Sequence, residues 1–186
     1  MVALTALWLP ILLSAVIVFV ASSLVHMVLT YHRTDYAKLP DEDAVLESLR
    51  QAKVPPGGYL FPYCATPKEM GSPAMQEKYR RGPIGMLLLR PNGPPAMAKN
   101  LVQWFVFCLV IGIFVAYLAG RTAGANADYL TVFRITGTVA FLGYAAGDVV
   151  DSIWKWQSWS VTAKGVLDGL IYALLTAGTF GWLWPD

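Results

Sequence analysis

The sequence predicts an all-α membrane protein: four transmembrane helices with a small cytoplasmic cap between helices 1 and 2. Three observations predict it. The 186 residues are 56% hydrophobic, with a mean hydropathy of +0.49. Only 14% are charged, against about 25% in soluble domains. The apolar residues fall in four long blocks, each close to the roughly 20 residues needed to cross about 30 Å of hydrocarbon.

The first block covers residues 4–29. It lacks the basic leading region of a signal peptide, and its apolar run is long. Val25-His26-Met27 leads into further apolar residues rather than a cleavage site, so the block reads as a retained helix. The second block, 101–119 ("LVQWFVFCLVIGIFVAYLA"), contains no charge. The third, 129–150, carries Arg134 near its start, and the fourth, 165–184, carries Asp168 near its start. Arg134 reads as a snorkelling side chain or as the partner of a carboxylate such as Asp128.

Residues 30–100 form a segment of short helices with a possible two-stranded ribbon. "LPDEDAVLESLRQAK" has acids in its first turn and Arg50 and Lys53 in its last, which complements a helix dipole at both ends. In "SPAMQEKYRR", Ser72 is an N-cap and Pro73 the first helical residue, and Gly82-Pro83 stops the helix. Tyr59 to Phe61 can pair with Met86 to Leu89, a ribbon too small to be stable alone.

Lys and Arg set the orientation. Residues 31–99 hold ten of the 14, with Arg33, Arg90 and Lys99 close to helix ends. The loop between the second and third spans holds only Arg121, and the hairpin after the third holds Lys155 and Lys164. The long segment and the hairpin are therefore expected in the cytoplasm, and both termini in the periplasm of a bacterial inner membrane.

The titratable residues collect at the cytoplasmic side. Asp148 lies nineteen residues after Tyr129, about 28 Å at 1.5 Å per residue, and so at the membrane edge. Asp148 and Asp151, with Lys155 four residues after Asp151 and Trp154, Trp156 and Trp159 following, read first as markers of the headgroup zone. Asp168 lies just inside the fourth span, and His26 and His32 fall at the same depth by the same rise. Asp148 and Asp168 are therefore the candidate ion or proton sites, since charges within spans are costly and often functional. Separate helices provide no metal-ligand spacing, and no metal is expected. His26 could serve as a single axial ligand to a haem or chlorophyll. No second histidine lies on another span, and no cofactor is expected.

Small residues at spacing four suit close helix approach in lipid. Gly143 and Gly147 form one such pair, and Gly165 and Gly169 another, continued by Ala173, Ala177 and Gly181. The third and fourth spans are expected to pack tightly, with each other or with a partner. Cys108 reads as a small buried hydrophobe, and Cys64 as an isolated thiol.

The chain has no phosphate-binding glycine loop, no HExxH, no Cys-His cluster and no GxSxG, so no catalytic residue is assigned. Acids interleave with the basic residues of the long segment, which suits lipid headgroups and argues against nucleic acid. The expected function is a non-catalytic accessory or structural subunit of a larger membrane complex, of the respiratory or photosynthetic kind. Its partners would be membrane lipids and other integral membrane subunits. The alternatives are a small proton-coupled carrier using carboxylates at the cytoplasmic ends of helices 3 and 4, and a membrane enzyme acting on lipid. The stretches "GYLFPYC", "RRGPIGMLLLRPNGPP" and "DGLIYALLTAGTFGWLWP" resemble those of a type of small polytopic bacterial inner-membrane protein. That resemblance implies the bacterial inner membrane and assigns no activity or site residue.

Overall fold

The structure, a computed structural model, describes residues 1–185. Its elements run α1 (Trp8–Met27), α2 (Glu42–Gln51), β1 (Gly57–Phe61), α3 (Pro67–Met70), α4 (Pro73–Arg81), β2 (Gly85–Leu89), α5 (Met97–Thr122), α6 (Tyr129–Lys155) and α7 (Trp159–Trp182). Short 3₁₀ turns at Leu4–Leu7 and Tyr31–Thr34 flank α1. Among the described residues, four helices are long and apolar enough to cross a membrane: Leu4–Met27, α5, α6 and α7. The chain therefore fits a multi-pass membrane protein.

The helices do not end where the apolar blocks end. α5 begins at Met97 rather than 101, α6 runs through Asp151 to Lys155 rather than stopping at 150, and α7 begins at Trp159 rather than 165. Helical hydrogen bonds are local and continue wherever the sequence permits, so hydropathy marks depth and not helix ends. Local chemistry sets the ends. Asp128 caps α6 by accepting from the Thr131 amide, and Ser158 caps α7 by accepting from the Ser160 amide. Trp156, with φ 56°, closes α6 in the left-handed region.

The chain divides into two units. Residues 37–95 form the smaller. Within it, Asp41 caps α2, Ser72 caps α4, and Gly82 (φ 58°) ends α4. β1 and β2 pair antiparallel, with Tyr59 opposite Leu87 and Phe61 opposite Gly85.

The larger unit, 1–36 with 96–186, is the bundle. α1 packs on α5 and α7, and α6 packs on the same two, with α6 and α7 the most extensive pair. One apolar core holds Leu7, Val115, Ala116, Val132, Ala140, Ala173 and Phe180. A second holds Ala15, Val18, Cys108 and Tyr172, flanked by Trp104 and Phe105. Hydroxyls within the helices are satisfied locally: Ser22 donates to the Phe19 carbonyl, Thr136 to Val132 and Thr176 to Tyr172. An apolar medium offers them no water, so this back-bonding is what makes them tolerable there.

Small residues let α6 and α7 touch. A Cβ on Gly169 would lie 2.8 Å from the Ala145 Cβ and 3.1 Å from Ala145 backbone. One on Gly165 would overlap the Asp148 carboxylate, and one on Gly143 would lie 2.7 Å from Ile111 of α5. Gly147 takes no part in this contact within the chain. A Cβ there meets nothing within 4 Å, because this position of α6 is turned away from its neighbours.

Candidate functional site

The centre is built on α7. Asp168 stands nine residues into that helix, and its side chain is only 5% exposed. Its partners come from the turn after α1. The Tyr31 hydroxyl donates to Asp168 Oδ1, and His32 Nε2 lies 2.8 Å from Oδ2. His26, at the end of α1, brings Nε2 to 3.9 Å from the same oxygen, and its ring packs 4.5 Å from that of His32.

Lys164, one turn before Asp168, holds that turn in place. Its Nζ donates to the Tyr31 carbonyl (2.7 Å), to Thr34 Oγ1 (2.8 Å) and to Asp35 Oδ1 (2.6 Å). An ammonium has three donors, and all three are used. Asp35 Oδ2 in turn meets His32 Nδ1 at 2.6 Å. Burial favours the neutral form of the Asp35 carboxyl, but the hydrogen bonds from Lys164 and His32 outweigh it and hold its pKa below the ordinary value. For Tyr31, burial and then the hydrogen bond to Asp168 push the phenol well above its usual range. Tyr31 therefore stays a donor at physiological pH.

Asp148 reaches the same place from α6. It lines a cavity of about 430 Å³ with His26, His32 and Asp168 on one side and Trp104, Tyr144 and Tyr172 on another. The three aromatic rings lie 5.7–6.3 Å apart, centroid to centroid. Trp104 Nε1 is satisfied by Ser22 Oγ at 2.8 Å. Two groups in this wall are not satisfied by the protein. The Asp148 carboxylate has no hydrogen-bond or ion-pair partner among the described residues, and the buried Tyr172 hydroxyl has none either. Of the three carboxylates lining the cavity, Lys164 compensates Asp35, Tyr31 and His32 contact Asp168, and no described residue compensates Asp148. The cavity thus places a carboxyl group without a protein partner beside aromatic faces, a combination suited to a cation.

The other singled-out residues lie elsewhere. Asp151 pairs with Lys155 at 2.7 Å and does not line the cavity, while Trp154, Trp156 and Trp159 are exposed. Asp128 caps α6, and Arg134 makes no ion pair among the described residues. A larger cavity of about 770 Å³ in the 37–95 unit is bordered by Arg50, Lys53 and Arg90, but no buried polar cluster converges on it.

Tyr31, Asp35, Lys164 and Tyr172 are members of the site that sequence reading missed. The i, i+3 spacing in "YHRTD" was the visible signal for the His32–Asp35 pair. Nothing in the sequence linked that turn to Lys164 and Asp168. Compared with family models, with curated proteins and with solved structures, the chain matches none, so the centre is read from its own geometry.

Proposed function

We propose that this chain is a small cation carrier of the bacterial inner membrane, with both termini in the periplasm and its binding centre at the cytoplasmic end of the bundle. One observation carries the proposal: Asp148, without a protein partner, lines the same cavity as the buried Asp168. An uncompensated carboxylate at a membrane span is costly, and a bound cation removes the cost. The rings of Trp104 and Tyr144 supply negative faces.

The test is the melting temperature of the protein in lipid nanodiscs against a panel of chloride salts at equal ionic strength: Na⁺, K⁺, Mg²⁺, Ca²⁺, Zn²⁺, Co²⁺ and guanidinium. A cation that binds the folded state adds about 2.7 kcal/mol at a hundred times its Kd. At least one should raise the melting temperature selectively. Equal melting in all of them would overturn the carrier reading.

An accessory subunit is the second reading. Its support is the large lateral surface: only 22–39% of each span is buried within the chain. The glycine pairs contribute less to it, because Gly165 and Gly169 meet Asp148 and Ala145 of the chain itself. Purification in mild detergent separates the two readings. Stoichiometric membrane partners support the subunit, and a chain isolated alone supports the carrier.

A further inference from the structure

We infer that His26, His32 and Asp168 form a binding site for one divalent transition metal of the Zn²⁺ class. This deepens the carrier reading and rests on it. The three ligand atoms, His26 Nε2, His32 Nε2 and Asp168 Oδ2, all lie within 4.8 Å of one another. Two of the separations are 2.8 Å and 3.9 Å. A tetrahedral ion with ligands at about 2.0–2.1 Å needs roughly 3.3 Å between them, so the two pairs must each adjust by about 0.5–0.6 Å and the two histidine nitrogens by at most about 1.5 Å.

The surroundings are those of a ligand set. A metal-bound histidine usually gives its other N–H to a carboxylate, which fixes the tautomer. Here His32 Nδ1 faces Asp35 Oδ2 at 2.6 Å, and Lys164 anchors Asp35. With the proton on Nδ1, His32 Nε2 turns its lone pair towards Asp168 Oδ2, which also only accepts. A metal ion can take the place of the proton that otherwise joins these two atoms as a hydrogen bond. The second Asp168 oxygen is held by the Tyr31 hydroxyl, so the carboxylate is oriented from outside the site.

The donor set decides the class. Two imidazoles and one carboxylate suit Zn²⁺, Co²⁺, Mn²⁺ or Fe²⁺, whereas Ca²⁺ and Mg²⁺ prefer all-oxygen sites. Three protein ligands leave the fourth position open, as in sites where a ligand is exchanged rather than sites that hold a fold together. All three ligand residues line the cavity that Asp148 and Tyr172 also line. An ion there can therefore be reached and released through the cavity.

The experiment uses full-length protein without a polyhistidine tag, in lipid nanodiscs, titrated with Co²⁺ and followed by its visible ligand-field bands. The expected result is saturable binding of one Co²⁺ per chain, with intense tetrahedral bands displaced by Zn²⁺. His26→Ala and His32→Ala should each abolish the bands. His26 is half exposed, so its replacement does not endanger folding. Asp35→Asn should keep the bands but weaken binding about 10- to 100-fold, since it acts by positioning His32. Co²⁺ binding that is absent, or that survives His26→Ala and His32→Ala unchanged, overturns the metal site. The salt-panel melting separates the two claims. If Na⁺, K⁺, Ca²⁺ or guanidinium stabilises the protein while Co²⁺ and Zn²⁺ do not, the carrier reading stands and the metal assignment falls. If no cation stabilises it, both fall.

Discussion

The two ends of the bundle are made from the same helices and differ in what the helices enclose. At one end Leu7, Val115, Val132 and Phe180 are fully buried, the Val2 amide donates to the Gly120 carbonyl at 2.9 Å, and Gly181 lies against the Tyr129 ring. That end is closed by close contact. At the other end the closing turn at 31–35 brings side-chain polar groups to α7, and the aromatic wall stands off to leave about 430 Å³. Packing in lipid depends on contact and on satisfied polar groups, because apolar surface alone gains little there. One end uses the first device and the other the second. Substitutions at the two ends should therefore fail in different ways.

The largest effects are expected where backbones touch. Gly120→Leu would drive a side chain into the Val2 carbonyl, 2.7 Å from the new Cβ, and Gly169→Leu would drive one into the Ala145 backbone. Overpacking of this kind costs about 1–3 kcal/mol, and more when backbone is the obstacle. Gly147→Leu meets open space and should cost little. Thermal melting in nanodiscs checks all three. Equal losses for Gly147→Leu and Gly169→Leu would contradict the difference in packing.

Lys164→Met should come next, at about 1.5–3 kcal/mol, because it strips charged hydrogen bonds from Asp35, Thr34 and the Tyr31 carbonyl. The matched control is Lys155→Met, which breaks only the Asp151 pair. Both partners of that pair are more than a third exposed, and exposed i, i+4 pairs contribute roughly 0.3–0.5 kcal/mol. A loss from Lys164→Met no larger than that from Lys155→Met would mean that the 31–35 turn does not depend on Lys164. Limited proteolysis gives an independent check, since cleavage after Arg33 should accelerate only in the Lys164 variant.

The smallest effect belongs to the closed end. Hydrogen bonds from the Thr131 side chain and amide hold the Asp128 carboxyl below its ordinary pKa. A depressed pKa in the folded state means that the unfolded chain binds the proton more readily. The cap's contribution is thus present above the unfolded value of about 3.9 and fades as pH falls through the folded value. Asp128→Ala should therefore melt lower than wild type at pH 7, with the gap narrowing as pH falls below about 4. A gap that stays constant with pH would show that the carboxylate charge plays no part.

The four spans were legible because lipid imposes length and composition on any crossing helix. The cap Ser72 was legible because capping acts within three residues, whereas Asp128, read as a partner for Arg134, is the cap of α6. The centre was legible only as depth. Counting the rise placed His26, His32, Asp148 and Asp168 at one level, but depth says nothing about rotation around each helix axis. Tyr31 and His32 meet Asp168 across 137 and 136 residues, and Asp35 meets Lys164 across 129. No local pattern encodes those distances. The Asp148–Asp151 pair shows the same limit, since three residues separate a cavity-lining carboxylate from one paired with Lys155.

That pair also provides the most direct measurement of whether the open end works as a cation site. Asp148→Asn and Asp151→Asn remove the same charge at nearly the same depth, so screening and surface potential change alike. The melting temperature of each in nanodiscs is measured with and without the cation that most stabilises wild type. Asp151→Asn should keep the full cation-dependent rise, and Asp148→Asn should reduce it. Equal rises in the two variants would contradict a role for the cavity carboxylate in holding the cation.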